Sequence, residues 1–144
     1  MTVTSEPQNV TDQKILMVHA FMLICFINKQ VTSGQLALVE SYAKGLPEFQ
    51  GRDFQEYYHA AKQVARQARG NLEDAISALS LIEDKGLRFK TFLCCLELAH
   101  CDEAPTPAHK AALESMMRVL NINEVHSKAM TEITQLKFAN VIQQ

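Results

Sequence analysis

His100, Cys101, Asp102 and Glu103 stand in a row, and His109 follows one turn into the next predicted helix. Imidazole, thiolate and carboxylate are the donor types of a transition-metal site, and zinc asks for about four of them in a tetrahedron. One helix end can bring His100 or Cys101 toward His109, so two or three donors converge rather than four. Asp102, Glu103 and His109 are therefore the metal candidates, with His100 and Cys101 beside them, and a divalent ion is the one cofactor the sequence admits. Calcium takes about 6 to 8 oxygens, more than Asp102 and Glu103 supply. The competing assignment is structural: Asp102 satisfies backbone N–H groups in its own turn, Cys101 packs, and both histidines stay in water.

Other reactive residue types give less. Cys94 and Cys95 are adjacent in a helical stretch, so their side chains point about 100° apart, and neither has a local base. All-helical thiol peroxidases need two cysteines separated by two residues. Cys25, Cys94, Cys95 and Cys101 are read as reduced, small apolar residues. His59 and His100 do not make a haem pair, because the internal repeat described below has no counterpart in a globin. His19 lies within an apolar helix and is assigned to the core, and Lys62, Arg66 and Arg69 form a modest solvated face. No set of groups completes a catalytic pocket, so the chain is read as a non-enzymatic binding module. A metal-dependent or thiol enzyme centred on the turn around Asp102 is the alternative.

The elements that position these residues come in two copies. Asn28–Leu46 superimposes on Asp102–Leu120 at an offset of 74 residues, with five identities that include Thr32 on Thr106 and Glu40-Ser41 on Glu114-Ser115. At the same offset Val39, Tyr42, Ala43 and Leu46 fall on Leu113, Met116, Met117 and Leu120, the 0, 3, 4, 7 spacing of one helical face. Each copy follows a segment that is apolar on nearly every side, about Thr11–Phe26 and Leu87–Ala99, as expected of an enclosed helix.

Thr32 with Gln35 reads as a capping box, and Thr106 caps while Pro107 takes the first helical position, where its missing N–H costs nothing. A third helix lies between Gly51 and Gly70, with Phe54, Tyr57, Tyr58, Ala61, Val64, Ala65 and Ala68 on one face. A fourth opens at Asn71 with the stripe Leu72, Ala75, Ile76, Leu79 and Ile82. A seventh, about Asn123–Ile142, presents Val125, Met130, Ile133, Leu136 or Lys137, and Val141 with less regular spacing. The expected architecture is all-α: about seven helices, with the duplicated helix-loop-helix units forming a pseudo-twofold bundle. Residues 1–10 read as a flexible polar tail and residues 11–144 as one domain.

Composition sets outer limits. A chain of 144 residues buries a core without staples, and 14 basic against 16 acidic residues leave no positive excess for nucleic acid. The apolar run Ile15–Ile27 is shorter than the roughly 20 residues that span a bilayer. It has neither the basic lead nor the cleavage site of an export signal, so the cytoplasm is expected. A protein is the expected partner, and a homodimer through the last helix, where Phe138 is expected to lie uncovered, is a further alternative.

The segment Leu96-Glu97-Leu98-Ala99-His100-Cys101-Asp102-Glu103-Ala104-Pro105-Thr106-Pro107, closing on Leu120-Asn121-Ile122, resembles the TerB-like domain of tellurite-resistance proteins. That domain is itself similar to the amino-terminal region of DjlA co-chaperones. Asp102 matches the aspartate of the family turn and Thr106-Pro107 its helix start. Glu103 replaces the usual glycine, Pro105 the usual aliphatic residue and His109 the usual acid. In the first copy Asn28, Lys29 and Gln35 replace the aspartate, the glycine and the acid. The resemblance implies a seven-helix pseudo-twofold bundle that binds protein or ions in a stress-response or tellurite-resistance setting. It also implies an acidic metal-holding surface near the turns, which this chain has thinned.

Overall fold

Helices with no polar side belong between other helices, and the two such segments of this chain lie at the centre. α1 (Val10–Cys25) and α5 (Lys85–His100) are each 16 residues long and pack on one another. Met17, Val18, Ala20, Phe21 and Ile24 of α1 are fully buried, as are Phe92, Cys95, Leu96 and Leu98 of α5 to within 2%. The computed structural model describes residues 10–140 and Ile142. The expected tail, apart from Val10, lies outside the described residues, as does Val141.

Five further helices surround this pair: α2 (Ser33–Gly45), α3 (Phe54–Gln67), α4 (Leu72–Ser77), α6 (Pro107–Val119) and α7 (Glu124–Phe138), with single 3-10 turns at Pro47–Phe49 and Ala78–Leu81. The described residues contain no strand, so the all-α expectation holds. α3 packs on α1, α7 on α5, and α4 on α6. Among the described residues no helix is long and apolar enough to cross a membrane.

Local chemistry sets the ends of these elements. Asp53, Asn71, Asp84 and Asn123 each cap a helix by accepting a backbone N–H within the next three residues, satisfying donors that a helix start leaves free. The Gln13 amide oxygen of α1 accepts from the N–H groups of Glu83 and Asp84 at 2.9 and 3.0 Å, which fixes the entry to α5. Gly51 and Gly70 sit at φ 77° and 82°, the left-handed region where glycine carries no Cβ penalty.

Two expectations need correction. The fourth helix does not continue through Ile82: α4 ends at Ser77 and tightens into the 3-10 turn, which still buries Leu79 and leads to a buried Ile82, while Leu72 is exposed. More consequential is α7, where Val125, Ile133 and Leu136 of the expected apolar face point outward and Met130 turns inward. Val125, Ile133 and Leu136 are 77%, 64% and 63% exposed. The inward face is Ser127, Met130, Thr131, Thr134 and Phe138, which are half-buried or buried at helical spacing. Thr131 and Thr134 can turn inward because each hydroxyl donates to the carbonyl four residues back, at 2.8 Å. Those bonds satisfy the buried hydroxyls. Phe138, expected to be uncovered, is half-buried beneath the Lys137 ammonium.

Candidate functional site

The two helix-loop-helix turns meet, and the side chains that open α2 and α6 reach across between them. At the first turn the Thr32 hydroxyl accepts from the Gln35 N–H at 3.0 Å while the Gln35 amide oxygen accepts from the Thr32 N–H at 3.2 Å. This is a complete capping box. The Gln35 amide nitrogen then donates to the carbonyl of Leu98, at the end of α5, at 3.2 Å. At the second turn the Thr106 hydroxyl accepts from the His109 N–H at 3.1 Å, and His109 Nδ1 accepts from the Thr106 N–H at 3.3 Å. The His109 ring also lies beside the backbone of Ile24, at the end of α1. Each of the two buried residues thus closes its own cap and reaches the far helix, Gln35 through a hydrogen bond and His109 by contact.

Asp102 strengthens the junction. Its carboxylate accepts from the Thr32 hydroxyl at the start of α2, where the partial positive charge of the helix end favours an anion. Gly34 gives it room: a Cβ there would overlap the carboxylate. A glycine-to-alanine change in a helix ordinarily stabilises by about 0.5–1 kcal/mol. Gly34→Ala is instead expected to destabilise by about 1 kcal/mol, because the carboxylate must leave Thr32. In an Asp102→Ala background the same change should revert to a gain. Urea denaturation of both single variants and the double would check this, and additive effects would contradict it.

The two buried histidines resist protonation. Burial lowers the His109 pKa below the ordinary 6.5, and the nearby His100 lowers it further, against the Ile24 backbone beside the ring. His19, 1% exposed, is lowered chiefly by burial, against its bond of 2.8 Å to the Ala75 carbonyl. Below about pH 6.5 the unfolded chain therefore takes up protons that the fold refuses. Stability is complete above that pH and declines as pH falls through it toward the lowered native values. His109→Gln, which copies Gln35, removes one of the two titrations. Its melting temperature is expected to fall less than wild type between about pH 7.5 and 5; an equal or steeper fall would contradict the assignment.

The metal candidates are thus placed as follows. His109 is 7% exposed with Nδ1 engaged by Thr106, so it is not in water as the structural assignment supposed. Asp102 turns to Thr32 rather than to backbone N–H groups of its own turn, and Glu103 is exposed. His100 Nδ1 bonds to the Leu96 carbonyl at 2.7 Å, and the half-buried Cys101 donates to Leu98. Asp102, Glu103 and His109 do share a polar recess of about 60 Å³ between the turns. Among the described residues no group of three or more His, Cys, Asp or Glu is gathered closely enough to hold a metal ion. Cys94 and Cys95 are buried. Burial pushes the Cys25 and Cys94 thiols up to about 12 and Cys101 to about 11, which keeps them protonated and weakly nucleophilic at neutral pH.

A larger feature was not singled out from the sequence. α1, α2 and α3 enclose an apolar groove of about 680 Å³ whose lining includes Met22, Phe26, Leu36, Ala43, Phe54 and Tyr58. Phe26 is 50% and Leu36 57% exposed. A second groove of about 320 Å³ lies between α5, α6 and α7, and its lining includes Leu96, His100, Lys110 and Met117. These four residues stand 74 positions after Met22, Phe26, Leu36 and Ala43. In the second groove a histidine and a lysine replace Phe26 and Leu36, and Met117 fills space that Ala43 leaves open. The signal was present in the repeat alignment, at positions where one copy is apolar and the other polar. No family model, curated protein or solved structure matches the chain.

Proposed function

We propose that the chain is a non-enzymatic, TerB-like binding module made of two half-bundles, α1-α2-α3 and α5-α6-α7, related by an internal twofold, and that it binds a protein helix in the groove of the first half. The twofold is supported by equal lengths, 16 residues for α1 and α5 and 13 for α2 and α6. It is also supported by a pair of crossed contacts, the Gln35 bond to Leu98 and the approach of His109 to the Ile24 backbone, whose ends each stand 74 residues apart. The observation that carries the binding reading is the exposure of Phe26 and Leu36 on an apolar groove. Monomeric proteins rarely leave contiguous apolar surface uncovered without a use for it, and helix-in-groove docking takes this shape. The raised thiols and the internally engaged His109 weigh against the thiol or metal enzyme. Action in the cytoplasm, in stress response or tellurite resistance, is part of the proposal and rests on the family resemblance.

An apolar fluorophore of the anilinonaphthalene type tests the groove. Its emission should rise with wild type, and a Phe26→His, Leu36→Lys variant should abolish the rise. That variant copies His100 and Lys110, residues the second groove already carries, so its fold should persist in circular dichroism. Equal binding by a folded variant would refute the reading. Calorimetric titration with zinc, manganese and calcium, against Asp102→Ala, His109→Ala, tests the ion alternative; heat lost in the variant would restore it.

A further inference from the structure

α7 is turned inside out, and among the described residues no helix lies in the groove between α1, α2 and α3. The apolar residues Val125, Ala129, Ile133 and Leu136 form one exposed stripe on the side of α7 opposite Thr134. Burying the threonines inward while leaving two large aliphatic side chains and a valine in water forgoes the gain of removing that apolar surface from water. The arrangement makes sense only if the outer stripe is covered. From Val125 to Leu136 the stripe is about 17 Å long at 1.5 Å per residue, and Ser33–Lys44, the part of α2 that borders the groove, has the same length.

Charge selects the occupant. Along the groove rim α2 carries Glu40 and then Lys44, negative before positive. Beside the stripe α7 carries Lys128 and then Glu132, positive before negative. All four are exposed, and none takes part in an ion pair among the described residues. The counterpart of Glu40 and Lys44 in the second half behaves differently, since Glu114 and Arg118 pair with each other at 3.3 Å. A helix running parallel to α2 with the order of α7 brings opposite charges together at both four-residue steps. Within one chain α7 is held on α5 by its inward face and by the Lys137–Glu97 pair at 2.8 Å.

The geometry points to a second copy of this chain as the occupant: its α7 seats the stripe Val125-Ala129-Ile133-Leu136 in the groove between α1, α2 and α3, with Lys128 against Glu40 and Glu132 against Lys44. In a closed pair the contact is made twice, each copy giving α7 and receiving it. This rests on the reading of the groove as a helix-binding surface.

Sedimentation velocity on the full chain at about 0.1 mM, with dilution series, tests it. Wild type should sediment as a dimer. Lys128→Glu, which sets like charges opposite Glu40, should weaken dimerisation about tenfold or more, and Glu40→Lys with Lys128→Glu should recover it, since rim charges act through such pairing. A monomeric wild type, or a double variant no tighter than Lys128→Glu, would overturn the second-copy occupant. Ile133→Lys separates this from failure of the groove itself. It should yield a monomer with an open groove that binds the apolar fluorophore at least as well as wild type. A dimer that survives both Ile133→Lys and the Phe26→His, Leu36→Lys variant would overturn the proposal outright.

Discussion

Phe21→Ala is expected to lower the free energy of unfolding by about 3–5 kcal/mol, the range for deleting a buried aromatic ring. Phe21 is fully buried in α1. Its ring lies 5.2 Å from Tyr42 of α2 and 6.3 Å from Phe49 of the following 3-10 turn, and Phe49 in turn touches Tyr57 and Phe54 of α3 at 5.6 and 5.1 Å. The ring therefore joins three elements, and the surroundings cannot collapse onto an alanine without moving all of them. Urea denaturation is the measurement, and a loss under about 1.5 kcal/mol would show that the cluster does not organise this half.

Gln35→Ala is expected to cost about 2 kcal/mol, although it removes one uncharged side chain. The change strips the Thr32 N–H of its partner and leaves the Leu98 carbonyl with only the weak Cys101 thiol donor, and under-satisfied groups at a buried site cost about 1–3 kcal/mol. Gln35→His should lose less than about 1 kcal/mol at pH 7.5, because His109 closes the same box at the second turn. Denaturation curves for the two variants decide the point. Equal losses would mean that closing the box is not what residue 35 contributes.

Much of the architecture was readable before any coordinates. Thr32 and Gln35, spaced three apart ahead of an apolar stripe, specify a helix start by local hydrogen bonding alone, and both the start and the box are found. The breaker-free apolar runs named the two central helices because a helix greasy on all sides has only one place to go. What was not readable depended on partners distant in the chain. His109 looks like a ligand in isolation; its box with Thr106 is local, but its burial against the end of α1 depends on Ile24, 85 positions earlier. Asp102 looked bound to its own turn, and Gly34, 68 positions earlier, is what lets it point elsewhere. The orientation of α7 escaped a hydrophobicity count because Thr131 and Thr134 satisfy their hydroxyls within the helix, which lets polar residues occupy the buried side.

At the turns the start of α2 is bonded to the end of α5, and the start of α6 lies against the end of α1. A peptide severed between Ser80 and Glu83 would leave either fragment with an orphaned cap residue and a bare greasy rod. Neither piece is expected to be self-sufficient, and the two fragments would have to find each other in solution to regain the fold.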